Sequence, residues 1–285
     1  MKFIDFASSQ IKENRAMPED SGFKDFISEY ISLCDREEGF TERLNKAFVL
    51  ADKEKTIRDI EKLKEKFGIL EDRICAFLEG PVVPEVIFFI GNPGWDGHGI
   101  IIQGKPYVFF NMTILSGHHM VLPDFSIDIH ILHELFHGIH YHLSPEFYQG
   151  NYHTSEDRYF KKMLAEGIAT YLSGKLTGGS EKEALTFGCL SEEDFRKFIR
   201  DCETLKKDFW LSMQDACDRN REDKELSDRL FCIPDMKPDA LARGRYGYYY
   251  GLKIAEKIAE ETGDRGLLTV KDIKGYIKEY FENVQ

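Results

Sequence analysis

At 285 residues, 42% of them hydrophobic, and with a formal net charge of −12, the chain has room for one large domain or two small ones and can bury a sizeable core. The acidic balance argues against nucleic acid or an anionic membrane surface as the main partner, because both call for basic patches. The opening residues Met1–Phe6 have no apolar stretch before charges appear, and no apolar run is long enough to span a bilayer, so a cytoplasmic protein is expected.

Residues 1–79 read as helical. Phe23, Phe26, Ile27, Tyr30, Ile31 and Cys34 recur at three- and four-residue steps. Lys53–Phe67 is charge-laced with Ile57, Ile60, Leu63 and Phe67 on one stripe, Gly68 reads as a stop, and Glu71–Leu78 as a further short helix. This N-terminal region carries no evident chemistry. The pattern changes at Gly80-Pro81. Val82–Ile90, Gly99–Gln103 and Pro106–Met112 read as strands, the last two joined by a hairpin at Gly104-Lys105. They predict a small, largely antiparallel sheet, in which one strand could hold an extended peptide by strand addition or could serve only as packing. Trp95–Gly99 reads as a glycine-rich loop, with His98 on it, and His118-His119 lie in another.

All nine histidines fall between His98 and His153, which marks this region as the chemical centre. Asp124–Leu143 has a helical pattern and contains His133-Glu134-Leu135-Phe136-His137, or H-E-x-x-H. Residues four apart share a helix face, so both imidazoles can reach one ion, and zinc accepts neutral imidazole at about 2.0–2.1 Å. Glu134 then lies on the open side of the metal, where it can take a proton from water. At 100° per residue, His130 and His140 fall with the two ligands in an arc of roughly 80°, while His142 points away. Asp128 could anchor a ligand histidine through its second ring nitrogen.

A catalytic zinc needs a third protein ligand. A third histidine ten residues after His133 is ruled out, because Leu143 stands there. A carboxylate on the next helix, Tyr159–Leu176, is the other common option, and Glu166 sits there among small residues in Leu164-Ala165-Glu166-Gly167-Ile168-Ala169-Thr170-Tyr171. H-E-x-x-H followed by E-G-x-A-[ST]-Y resembles the gluzincin metallopeptidases, the thermolysin and aminopeptidase type, over residues 80–175. The resemblance implies that Glu166 is the third zinc ligand, with an insertion at 144–156. Twenty-eight residues lie between His137 and Glu166, more than in the aminopeptidase branch. Glu156 stands at that branch's spacing but in a different context, and Asp157 is a further candidate.

Ser180–Gly188 and Ser191–Met213 read as helices, Cys232–Asp235 as a loop and Val270–Phe281 as a closing amphipathic helix. The six cysteines (Cys34, Cys75, Cys189, Cys202, Cys217 and Cys232) form no C-x-x-C pair and are expected to be reduced. Arg243-Gly244-Arg245-Tyr246-Gly247-Tyr248-Tyr249-Tyr250-Gly251 opens a helix running to Thr262, and its G-Y-Y-x-G-x-x-I character is similar to a bacterial group described as predicted zinc-dependent proteases. In gluzincins a downstream tyrosine or histidine donates to the oxyanion. Here that implies Tyr248 or Tyr249, with Arg245 as a contact for a substrate carboxylate and simple aromatic packing as the alternative.

The expected fold is α+β, a mainly helical zincin-like domain with the small sheet before the H-E-x-x-H helix. Its regions are 1–79, helical; 80–178, the metal-binding core; and 179–285, a helical subdomain completing the cleft. The expected function is a zinc metallopeptidase acting on a peptide or protein substrate, with Zn2+ on His133, His137 and Glu166 and with Glu134 as general base. A zinc-binding regulatory protein without turnover, or a zinc hydrolase of a non-peptide amide or ester, are the alternatives.

Overall fold

The structure is a computed structural model that describes residues 1–34, 37–81, 84–122, 124–231 and 244–282. The chain divides into two compact units, Met1–His142 and Leu143–Gln285. The helical region 1–79 therefore shares a unit with the sheet and the H-E-x-x-H helix, and residues 80–178 are divided between the two units.

The first unit is built on four strands: β1 (Phe3–Asp5), β2 (Glu85–Phe89), β3 (Gly97–Ile102) and β4 (Lys105–Asn111). Their order is β1-β2-β4-β3. β1 pairs with β2 in parallel, with Phe3 opposite Val86, and β2 pairs with β4 in parallel, with Ile87 opposite Phe109. Only β3 and β4 are antiparallel, with Ile100 opposite Tyr107. The sheet is thus mixed, which corrects the expectation of a largely antiparallel one. The reason is that, among the described strands, a tight turn joins β3 to β4, and the chain between β2 and β3 carries β3 to the outer edge, so that β4 returns alongside β2. That turn is Gln103-Gly104, one residue earlier than expected, and both have positive φ (50° and 78°), as a type I′ hairpin requires. β1 lies in a stretch read as helix, because three residues carry no periodicity to detect.

Helices cover both sheet faces. The first unit holds α1 (Phe6–Glu13), α2 (Ser21–Cys34), α3 (Phe40–Leu50), α4 (Lys53–Leu78), the short α5 (Met112–Leu115) and α6 (Ile127–Leu143), whose last residue falls in the second unit. On one face Phe26 and Tyr30 of α2 meet Phe89 and Phe109. On the other, Phe67 of α4 meets Phe88 and Phe110, and Phe77 of α4 meets Phe136 of α6. Each buried aromatic of this kind contributes about 1.5–3 kcal/mol. α4 is one helix, not two. Asp52 caps its start by accepting from the Lys55 N–H, and Gly68 lies in its middle. An interior glycine costs only about 1 kcal/mol relative to alanine, and the buried stripe Ile60, Leu63, Phe67, Leu70 and Ile74 runs straight through it.

The second unit is helical: α7 (Lys162–Thr177), α8 (Glu181–Thr186), α9 (Glu192–Asp218), α10 (Lys224–Phe231), α11 (Tyr246–Thr262) and α12 (Ile273–Glu282). Ser180 opens α8 with a capping box, and Ser191 opens α9 by accepting from the Asp194 N–H at 3.1 Å. α7 and α11 cross where Gly167 faces Gly251, and a methyl group added to Gly167 would lie 2.0 Å from the Gly251 carbonyl carbon. Both glycines are therefore explained by close helix contact. Phe209 and Tyr246, and Trp210 and Phe281, pack α9 against α11 and α12. Among the described residues no helix is long and apolar enough to cross a membrane.

Candidate metal site

α6 is buried from Ile129 to Tyr141 without interruption. It sits close to the sheet because small residues let it: a methyl group on Gly138 would come within 2.6 Å of the Val108 side chain. β3 lies against the same helix. A methyl group on Gly99 would meet the backbone of Gly138 at 2.8 Å. His98, expected in a loop, is therefore on an edge strand, 5% exposed, against the H-E-x-x-H turn.

Within that turn the Nε2 atoms of His133 and His137 stand 3.2 Å apart, and both residues are buried. Two ligands at about 2.0–2.1 Å from one ion in tetrahedral geometry are separated by about 3.3–3.4 Å, so the observed spacing fits a shared cation to within about 0.2 Å. Behind His137 the Tyr141 hydroxyl lies 3.5 Å from its Nδ1 and 3.1 Å from His98 Nε2. Glu134 is buried between imidazoles: His98 Nδ1 is 3.6 Å from Oε2, and His130 Nδ1 is 4.0 Å from Oε1. His98, Glu134 and His137 form one group within this unit whose ligand atoms all lie within 4.8 Å of one another.

Asp96 extends the network, with one oxygen 2.8 Å from His119 Nε2 and 3.8 Å from His130 Nε2. Burial alone would raise its pKa. The His130 and His119 imidazoles outweigh burial and hold the carboxyl well below the usual carboxylate range. Asp96, His119 and Tyr141 were not singled out as site residues. The sequence signal for Tyr141 was its position one turn after His137, and for Asp96 the glycine-flanked His98 beside it. Asp128, expected to anchor a ligand histidine, instead pairs with Lys66 at 2.5 Å near the helix start. His140 is buried on α6, and His142 is exposed.

In the second unit, Glu166 is 3% exposed, one residue before the Gly167–Gly251 crossing. The two rival carboxylates have other partners. Glu156 pairs with Lys274, and Asp157 pairs with Lys161 at 2.6 Å while accepting from the His153 and Thr154 backbone. Tyr248 and Tyr249 both lie in the first turn of α11 and are buried. The Tyr249 hydroxyl donates to Glu203; burial first, and this carboxylate second, push its pKa up. Tyr248 lies with its ring 3.7 Å from the Arg245 guanidinium carbon. Arg243, part of the same motif, and the loop Cys232–Asp235 fall outside the described residues.

Comparison with known protein families, curated proteins and solved structures finds no match to this chain.

The functional reading therefore rests on the residues themselves. Cys75, Cys202 and Cys217 are free thiols. None belongs to the candidate groups that could hold a metal.

Proposed function

We propose that this chain is a cytoplasmic, zincin-type zinc peptidase in which His133, His137 and Glu166 hold one zinc ion. The observation that carries the reading is the 3.2 Å separation of the two Nε2 atoms inside an H-E-x-x-H turn. The burial of Glu166, against the lysine pairing of Glu156 and Asp157, supports it as the third ligand.

Zinc, when bound, would polarise the substrate carbonyl and lower the pKa of water toward about 7. Glu134 takes the proton of the attacking water and delivers it to the leaving amine. Tyr248 donates to the oxyanion, a contact worth roughly 2.7–4 kcal/mol of transition-state stabilisation. Tyr249, already donating to Glu203, is left out of the mechanism. With His137 Nε2 given to the metal, its Nδ1–H donates to the Tyr141 oxygen and the Tyr141 hydroxyl donates to His98 Nε2. His98 then carries its proton on Nδ1, facing Glu134 Oε2. The protein thereby steadies the base from behind.

The second reading is a zinc-binding protein without turnover. It is favoured by the fact that Glu134 itself belongs to a possible ligand group with His98 and His137. Metal content and peptide cleavage of wild type, Glu134→Gln and Glu166→Ala decide between them. The peptidase reading expects about one zinc per chain, lost in Glu166→Ala, and cleavage reduced about 10²–10⁴-fold in Glu134→Gln with zinc retained. Zinc lost in Glu134→Gln would favour the second reading. No zinc in wild type after reconstitution would end both.

A further inference from the structure

Among the described residues Arg245 is one of the largest side chains buried to less than 2% exposure. It lies at the N-terminus of α11, with its guanidinium 3.7 Å from the centre of the Tyr248 ring and 4.8 Å from that of Phe187. Among the described residues no hydrogen-bond acceptor reaches its Nε or either of its Nη atoms. Aromatic faces satisfy part of a cation's demand. They leave five N–H donors without acceptors. An unpaired charge taken out of water costs several kcal/mol, and a helix N-terminus is the wrong end for a cation, since the macrodipole is positive there. Burial, missing acceptors and dipole all favour an incoming anion. A guanidinium fork matches a planar carboxylate with two parallel hydrogen bonds.

We propose that Arg245 is the anchor of a carboxylate-binding site and that the ligand is a carboxylate of the substrate. That the carboxylate belongs to a peptide rests on the peptidase reading; the anion site itself does not. Tyr248, whose ring centre lies 3.7 Å from the same guanidinium, is the residue assigned above to the oxyanion. The carboxylate so held is an acidic side chain of the peptide or its C-terminus.

The test uses the full chain carrying Glu134→Gln, so that binding is read without turnover. Four octa-alanine peptides carrying an N-terminal BODIPY dye that has no carboxylate are titrated by anisotropy, with one internal position as Glu or Gln and the C-terminus free or amidated. Binding should depend on a carboxylate: the doubly neutral peptide should bind at least about tenfold more weakly than the best acidic one. Glu with an amidated end binding best would identify a side chain, and Gln with a free end binding best would identify the C-terminus. Adding Arg245→Met should erase the preference, and Arg245→Lys should restore it only in part, because Lys lacks the fork. Arg245→Met should also raise the melting temperature of the unliganded protein, as removal of an unpaired buried charge does. Equal affinities for all four peptides, no binding of any, or a melting temperature lowered by Arg245→Met would each overturn the proposal. An Arg245-dependent preference in a protein that cleaves nothing would sink the peptidase reading and leave the anion site standing.

Discussion

The Tyr141 hydroxyl reaches His98 Nε2 at 3.1 Å across 43 residues of sequence, tying the sheet's edge strand to the helix that carries the candidate ligands. The same oxygen faces His137 Nδ1. Tyr141→Phe should therefore act on two histidines at once. Zinc affinity should fall by about 10–100-fold, the usual effect of losing a partner behind a metal ligand. The His98 tautomer should also lose its preference for Nδ1–H, as read by nitrogen-15 NMR of labelled histidine. Unchanged zinc affinity with an unchanged His98 spectrum would mean that the hydroxyl is only a packing contact.

The two tyrosines of α11 should separate cleanly. Tyr248→Phe is expected to lower kcat by about 10²–10³-fold while the melting temperature stays close to wild type. Tyr249→Phe should leave kcat alone and cost about 1 kcal/mol of stability, the worth of an ordinary hydrogen bond, here to an exposed Glu203. A kcat defect in Tyr249→Phe as large as that in Tyr248→Phe would reassign the donor.

Two glycine-to-alanine changes should move stability in opposite directions. Gly167→Ala puts a methyl group into the Gly251 backbone and should destabilise by about 1–3 kcal/mol or more, with a melting temperature lower by several degrees. Gly68→Ala meets nothing within 4 Å on α4 and should stabilise by up to about 1 kcal/mol. Thermal unfolding of both variants against wild type is the measurement, and a stable Gly167→Ala protein would mean that the two helices can part at little cost.

Asp59 gives an acid-limb prediction. It accepts from Lys55 at 2.5 Å and from the Ser116 hydroxyl at 2.6 Å, and Lys62 lies 3.4 Å away. Burial opposes ionisation, but these donors win, and the carboxyl sits below its ordinary value of 3.8. A lowered folded-state pKa means that its stabilisation is complete above the ordinary value and is lost as pH falls below it toward the folded one. Asp59→Asn should therefore be less stable than wild type at neutral pH, and the gap should shrink in chemical denaturation at about pH 3. A gap independent of pH would remove Asp59 from the acid limb.

The H-E-x-x-H helix was legible because its chemistry and its period coincide: four residues bring His133 and His137 onto one face, and the core buries that face whatever else the chain does. The Gly68 break was misread because a local cost near 1 kcal/mol is smaller than the burial of the stripe around it. Asp128 was misplaced for a different reason. Spacing assigns it to a face, but Lys66 comes from 62 residues away, and no local pattern encodes that partner. The Asp96–His119–His130 cluster is of the same kind, assembled from a loop residue, the first residue of a short 3-10 helix and a residue of α6, so only the fold brings it together. Tyr249 looked equivalent to Tyr248 in sequence, and the distinguishing contact, Glu203, is 46 residues distant.

The parallel pairing of β1 with β2 has a kinetic consequence. Phe3 must wait for Val86, so α1 to α4 all lie inside the loop that this pairing closes. Closing so long a loop costs entropy before any strand hydrogen bond forms, and contacts of such separation slow folding. The hairpin of β3 and β4, by contrast, closes over two residues. Formation of the hairpin first, with β2 and then β1 added alongside, is the sequence of events that this topology favours. Until β1 arrives, β2 has an open edge that can pair with another chain.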